Sequence, residues 1–157
     1  MTSLETWELL SYVVTVVGLP LAIVAYMLEQ RKERANEEEE VYQLLSDNYQ
    51  DFLKVVLENS DLKLFSSTPR NLNEEQHERM MLILGMLMSL FERAYLLLYE
   101  EGLANDKLRR WRSWEDYMRE WTQRDVFRAR LPELVKGEDP EFAAYIQALA
   151  AAEKSAQ

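Results

Sequence analysis

From Leu9 to Leu28 the chain carries twenty consecutive residues without a formal charge, and beyond them apolar positions recur at helical spacing. At about 1.5 Å of rise per residue, a helix of that length matches a hydrocarbon core of roughly 30 Å. The run is therefore expected to cross a membrane. Trp7, Tyr12 and Tyr26 stand towards its ends, where amphipathic rings favour the interface. A cleaved leader would want a basic start and a small-residue cleavage site. Here the start is Met-Thr-Ser-Leu-Glu-Thr-Trp-Glu, and Glu29-Gln30-Arg31-Lys32-Glu33-Arg34 follows the run, which favours a retained anchor. Arg31, Lys32 and Arg34 flank only that end. By the positive-inside tendency the N-terminus is expected outside and the rest in the cytoplasm.

Helix is expected to continue from the membrane, since no breaker stands between Glu29 and Glu58. Glu37 to Glu40 reads as a solvated face. Val41, Leu44, Leu45, Tyr49, Phe52, Leu53, Val56 and Leu57 form the apolar stripe. Asn59 to Asn71, with Ser66-Ser67-Thr68-Pro69, reads as a loop. Asn73 with Gln76 three residues on is a capping-box start, and Gly102 offers a stop after about Glu101. Met80 to Phe91 is apolar almost all round, but Glu92 and Arg93 interrupt it. Each would cost roughly 2.5–3.5 kcal/mol near a membrane centre, so a buried central helix of a bundle is expected instead of a second span.

A further helix is expected from about Asp106 to Phe127 or beyond, with Leu108, Trp111, Trp114, Tyr117, Met118 and Trp121 on its apolar side. Pro132 and Gly137 punctuate the chain, and Asp139-Pro140-Glu141 starts a last helix with Asp as cap and Pro in the first turn. The fold class expected is all-α, one N-terminal transmembrane helix followed by a cytoplasmic bundle of about four helices. The divisions are a short outer tail (1–6), the span (7–29), a charged juxtamembrane helix (30–58), a loop (59–72), the bundle (73–150) and a frayed tail (151–157).

Within the span, Ser11, Thr15, Gly18, Ala22 and Ala25 follow spacings of 4, 3, 4 and 3. At about 100° per residue they lie within about 40° of one line. Small residues let helix backbones approach closely, which points to packing against copies of the chain or a partner's helix. Pro20 is expected to kink the helix by removing a backbone donor and crowding the preceding turn. A bent helix with a weakly polar stripe would also suit a pore built from several copies.

Composition narrows the chemistry. The net charge of −10 opposes general nucleic-acid binding, which needs a local excess of Lys and Arg. Charge is segregated, however: Lys107 to Arg130 holds eight basic residues against four acidic ones. Cysteine is absent, which removes disulfides, thiol nucleophiles, thiolate metal sites and prenyl or palmitoyl anchors. His77 is the only histidine and stands among Glu, Gln and Arg, which disfavours zinc sites and His-activated nucleophiles. The four glycines are isolated, so no phosphate-cradling loop is present. No catalytic residue, metal ligand or cofactor is assigned.

Two constellations remain. Glu92 and Arg93 sit inside an apolar helix, and a buried charge must be paired. Arg119, Arg124 or Arg128 is expected to pair with Glu92, and Asp116, Glu120 or Asp125 to face Arg93, in a buried polar network that fixes helix packing. The second constellation is Arg109, Arg110, Trp111, Arg112 and Trp114, where guanidinium forks and indole faces would suit an anionic ligand or lipid headgroup.

Leu87 to Tyr99 reads Leu-Met-Ser-Leu-Phe-Glu-Arg-Ala-Tyr-Leu-Leu-Leu-Tyr; Trp111, Trp114 and Tyr117 then make a Trp-x-x-Trp-x-x-Tyr pattern, and Arg124, Phe127 and Arg128 an Arg-x-x-Phe-Arg pattern. In these motifs the chain resembles a family of small bacterial single-pass membrane proteins that carry a domain of unknown function. Asn59-Ser60-Asp61-Leu62 matches that family's aromatic-Pro-Asp-Leu turn only in part. The resemblance implies the inner membrane of a bacterium and no particular activity. The expected function is a membrane-anchored helical interaction or scaffold protein, not an enzyme, that self-associates through its span. Its partners would be the lipid bilayer, its own copies and another membrane or cytoplasmic protein. The alternatives are a homo-oligomeric pore or membrane effector gated by an anionic cytoplasmic ligand, and an accessory subunit of a larger membrane complex.

Overall fold

A computed structural model describes residues 18–65 and 71–155, with positions 7, 8, 12 and 16. Among the described residues every regular element is helical, and there is no strand. The helices are α1 (Leu19–Glu58), α2 (Glu74–Leu98), α3 (Asn105–Thr122), α4 (Asp125–Leu134) and α5 (Pro140–Ser155), with a 3-10 turn at Ser60–Leu62. The chain divides into two compact units, Met1–Val41 and Tyr42–Gln157.

In the first unit the described backbone is the beginning of α1. Pro20 is the second residue of α1, and positions 16 and 18 just before it are in the wider π-helical conformation, where helix adapts to a proline that lacks its amide donor. Ser11 and Thr15 of the expected packing face lie outside the described residues.

The second unit is a packed bundle. Its largest fully buried side chains include Trp114, Trp121, Phe91, Phe127, Phe142, Met118 and Ile146. On α3, Trp111, Trp114, Met118 and Trp121 recur at 3, 4 and 3, and this face is buried against α2, α4 and α5. Tyr49 and Phe52 of α1 join it: Phe52 meets Trp121 edge-on at 5.7 Å between ring centres, and the Trp121 Nε1–H donates to the Tyr49 hydroxyl at 3.2 Å. Burial pushes the Tyr49 hydroxyl above its ordinary pKa.

Local signals place the helix ends. Asn73 accepts from the Gln76 amide at 2.8 Å, and its own amide donates to the Gln76 side chain at 3.2 Å, closing a capping box. Asn73→Ala is expected to lower stability by about 1 kcal/mol. The urea midpoint of the full chain in detergent checks this; an unmoved midpoint would mean that water serves those donors equally well. At the turn before α2, Arg79 donates to Asn59 Oδ1 at 2.7 Å and to Asp61 Oδ2 at 2.8 Å, tying the end of α1 to the start of α2. Hydrogen bonds from Gln76 and then Arg79 hold the Asp61 carboxyl below its ordinary pKa.

The structure corrects three expected boundaries. α2 ends at Leu98 and not near Glu101; Tyr99 is already extended, and Gly102, at φ +80°, belongs to the turn beyond. The long helix expected from Asp106 breaks after Thr122 into α3 and α4. Arg128 explains the break, because its guanidinium donates to the carbonyls of Thr122 and Gln123 at 2.9 and 2.8 Å, serving carbonyls at the end of α3. Pro132 lies inside the last turn of α4 and does not end it. At α5, Asp139 Oδ1 accepts from the amides of Glu141 and Phe142, both at 3.0 Å.

Candidate functional site

The first unit presents an unusual surface. Leu19, Leu21, Ile23, Val24, Tyr26, Met27 and Leu28 are each more than half exposed. Gly18, Ala22 and Ala25 are exposed on the same stretch, with Pro20 among them. Seven large apolar side chains in ten positions, each more than half exposed, form a contiguous apolar surface of the kind that marks partner or membrane contact. Leu28 closes the run and the charged stretch from Glu29 to Arg34 begins, with the Tyr26 hydroxyl accepting from Gln30 at 2.9 Å across that boundary. One helix of the described chain is long and apolar enough to span a membrane, and it is α2, not α1. The segment 9–17, needed to judge the N-terminal run, lies almost wholly outside the described residues.

α2 meets the span criteria for a reason already visible in its sequence, the apolar run from Met80 to Phe91. One of its sides is bundle core: Leu87, Met88, Phe91 and Ala94 are fully buried. The other side departs from the expected buried central helix. Leu82 is 65% exposed, Met86 51%, Leu96 57% and Leu97 54%.

The Arg/Trp constellation separates on folding. Trp111 and Trp114 are core residues, 4% and 1% exposed. Arg109 is exposed and pairs with Asp106 at 3.2 Å, Arg110 lies over the Tyr42 ring at 5.5 Å, and Arg112 is exposed. The five residues do not make one ligand face, because the indoles are used up in packing.

The expected network of Glu92, Arg93, Arg124 and Arg128 also separates. Arg93 is exposed. Arg124 pairs with Glu120 at 2.8 Å and stacks between Phe65 and Trp121, 4.3 and 4.6 Å from their ring centres. Arg128 pairs with Asp125 besides capping α3. Glu92 instead accepts the backbone N–H of Asp139 at the start of α5 and hydrogen-bonds with the carboxyl of Glu138. Burial, then Glu92, raises the Glu138 pKa to about 7. Nothing in sequence marked Glu138, since its partner is another acid far along the chain.

Elsewhere Tyr145 donates to Glu115 at 2.6 Å, and Arg119 joins Glu115 at 3.2 Å to Glu153 at 3.0 Å, so α3 and α5 are stitched by one polar chain. Burial, then the Glu115 carboxylate, raises the Tyr145 pKa. Two open hollows of about 450 and 420 Å³ lie on this unit, the first beside His77, Asp125 and Arg130, the second beside Tyr99, Trp111 and Glu115. Among the described residues no three His, Cys, Asp or Glu side chains group as metal ligands. The arrangement offers packing and ion pairs that link the helices of this unit.

Compared with known protein families, curated proteins and solved structures, the chain matches none.

Proposed function

We propose that this protein is a membrane-anchored, non-enzymatic helical interaction module, held by the N-terminal run from Trp7 to Glu29 and self-associating through it. The observation that carries the reading is the row of apolar side chains from Leu19 to Leu28, exposed throughout and followed at once by charge. Lipid covers such a row at no desolvation cost, and a helix interior to a soluble bundle would not leave it bare. Arg31, Lys32 and Arg34 orient the packed unit towards the cytoplasm. The bacterial inner membrane enters from the motifs at Leu87–Tyr99 and Trp111–Tyr117, as resemblance. Gly18, Ala22 and Ala25 supply the close-packing face, continuing through Ser11 and Thr15. The ligand-gated pore has less support, because Trp114 is core and Trp111 is 4% exposed, which leaves little indole surface for a ligand.

In carbonate-washed membranes the full chain is expected to stay in the pellet and to cross-link chemically into oligomers. Gly18→Leu with Ala22→Leu is expected to convert those oligomers to monomer while the chain remains in the pellet. A freely soluble full chain would remove the anchor, and oligomers indifferent to both substitutions would remove the packing face.

A further inference from the structure

α2 has a second side that no described residue covers. Glu75, Glu78, Leu82, Gly85, Met86, Ser89, Arg93, Leu96 and Leu97 recur at helical spacing and, at about 100° per residue, fall within about 60° of one line opposite the buried face. Gly85 is the informative member. It lies inside a 25-residue helix, where glycine is about 1 kcal/mol worse than alanine. A Cβ placed there meets nothing within 4 Å, so packing inside the chain gives no reason for glycine. Close approach by a backbone from outside does give one.

The charges on this side select the visitor. Glu78 and Arg93 are both exposed on this side, fifteen positions apart along the helix and about 60° apart around it. Lipid is a poor occupant of a face with a carboxylate at one end and a guanidinium at the other. A second α2 running antiparallel, with its two-fold axis between Gly85 and Met86, sets each Glu78 opposite the other copy's Arg93. The two reciprocal pairs then lie about 22 Å apart along the helix. Leu82 falls opposite Ser89, and Gly85 sits at the crossing, where the backbones come closest.

We propose that α2 is a two-fold docking face for a second copy of this chain, separate from the N-terminal packing face. Each copy would thus carry two self-association surfaces, one along the run beginning at Trp7 and one on the bundle.

The absence of cysteine makes the test direct, because any introduced thiol is unique. Met86→Cys in the full-length protein in detergent is expected to form a covalent dimer on mild oxidation, since it stands beside its own symmetry mate. Leu57→Cys, on α1 and 73% exposed, is the control and is expected to stay monomeric on the same gel. In the Met86→Cys background, Arg93→Glu is expected to abolish the covalent dimer and Glu78→Arg with Arg93→Glu to restore it, a recovery that a folding defect would not show. The Met86→Cys dimer is also expected to persist alongside Gly18→Leu and Ala22→Leu. Equal cross-linking of Met86→Cys and Leu57→Cys, or no recovery on charge exchange, overturns the proposal. Loss of the dimer with the Gly18/Ala22 pair overturns it too, while leaving the membrane reading in place.

Discussion

Trp121→Ala is expected to destabilise the bundle of residues 42–157 by about 3–5 kcal/mol, the usual range for removing a fully buried large aromatic. Three contacts go at once: the edge-on contact with Phe52 at 5.7 Å, the edge-on contact with Phe65 at 4.9 Å, and the indole hydrogen bond to Tyr49. The loss also frees the Tyr49 hydroxyl from its donor, while Arg124 loses one of the two rings it stacks on. A domain has only about 5–15 kcal/mol in total, so the variant is expected near or beyond its unfolding threshold. Tyr49→Phe separates the terms, since it removes the hydrogen bond and keeps the ring; about 1 kcal/mol is expected. Urea titration followed by circular dichroism distinguishes the two. Equal losses for both variants would mean that the hydrogen bond, and not the packing of the indole, holds α1 against α3.

Raising the pH from about 5 to about 8 is expected to weaken the same bundle. The Glu138 carboxyl lies beside Glu92, and burial with that neighbour raises its pKa to about 7, from the ordinary value of 4.5. A carboxyl whose folded pKa is raised binds its proton more tightly in the folded state than in the unfolded one. Its contribution is therefore complete below the unfolded value and lost as the pH climbs through the folded value. Above that, two carboxylates face each other at the start of α5, and Glu92 also holds the Asp139 amide. Glu138→Gln keeps the hydrogen-bonding shape without the charge and is expected to flatten the decline between pH 5 and 8. Thermal unfolding at a series of pH values in constant salt gives the answer. A wild-type midpoint that rises over that interval would contradict the assignment. Asp61 and Glu153 run the other way: both have lowered pKa values and lose stabilisation only as the pH falls through the acid range.

Much of this was legible along the chain. Helical content follows from spacing and the scarcity of Gly and Pro; the capping box at Asn73 and the Asp139 cap are settled within three or four residues. The exposed apolar row before Glu29 is likewise a local property, because nothing after it needs to be known to count its charges. The break after Thr122 was not legible, since it is made by a guanidinium six residues further on reaching back to a carbonyl. Helical periodicity continued through it without a mark.

Contacts across the fold decided the rest. α2 is apolar on nearly every side, and only the arrival of α3, α4 and α5 determines that Leu87 and Phe91 are core while Leu82 and Met86 are surface. Trp111 and Trp114 look alike whether they bind a ligand or fill a core, until Tyr99, Tyr145, Tyr49 and Tyr117 are seen packed around them. Glu92 took an amide 47 positions away in place of the arginines expected for it. The physical reason is one of range. Backbone geometry and caps are set by neighbours within a turn, whereas burial and ion pairing depend on which distant surface arrives, and periodicity carries no record of that.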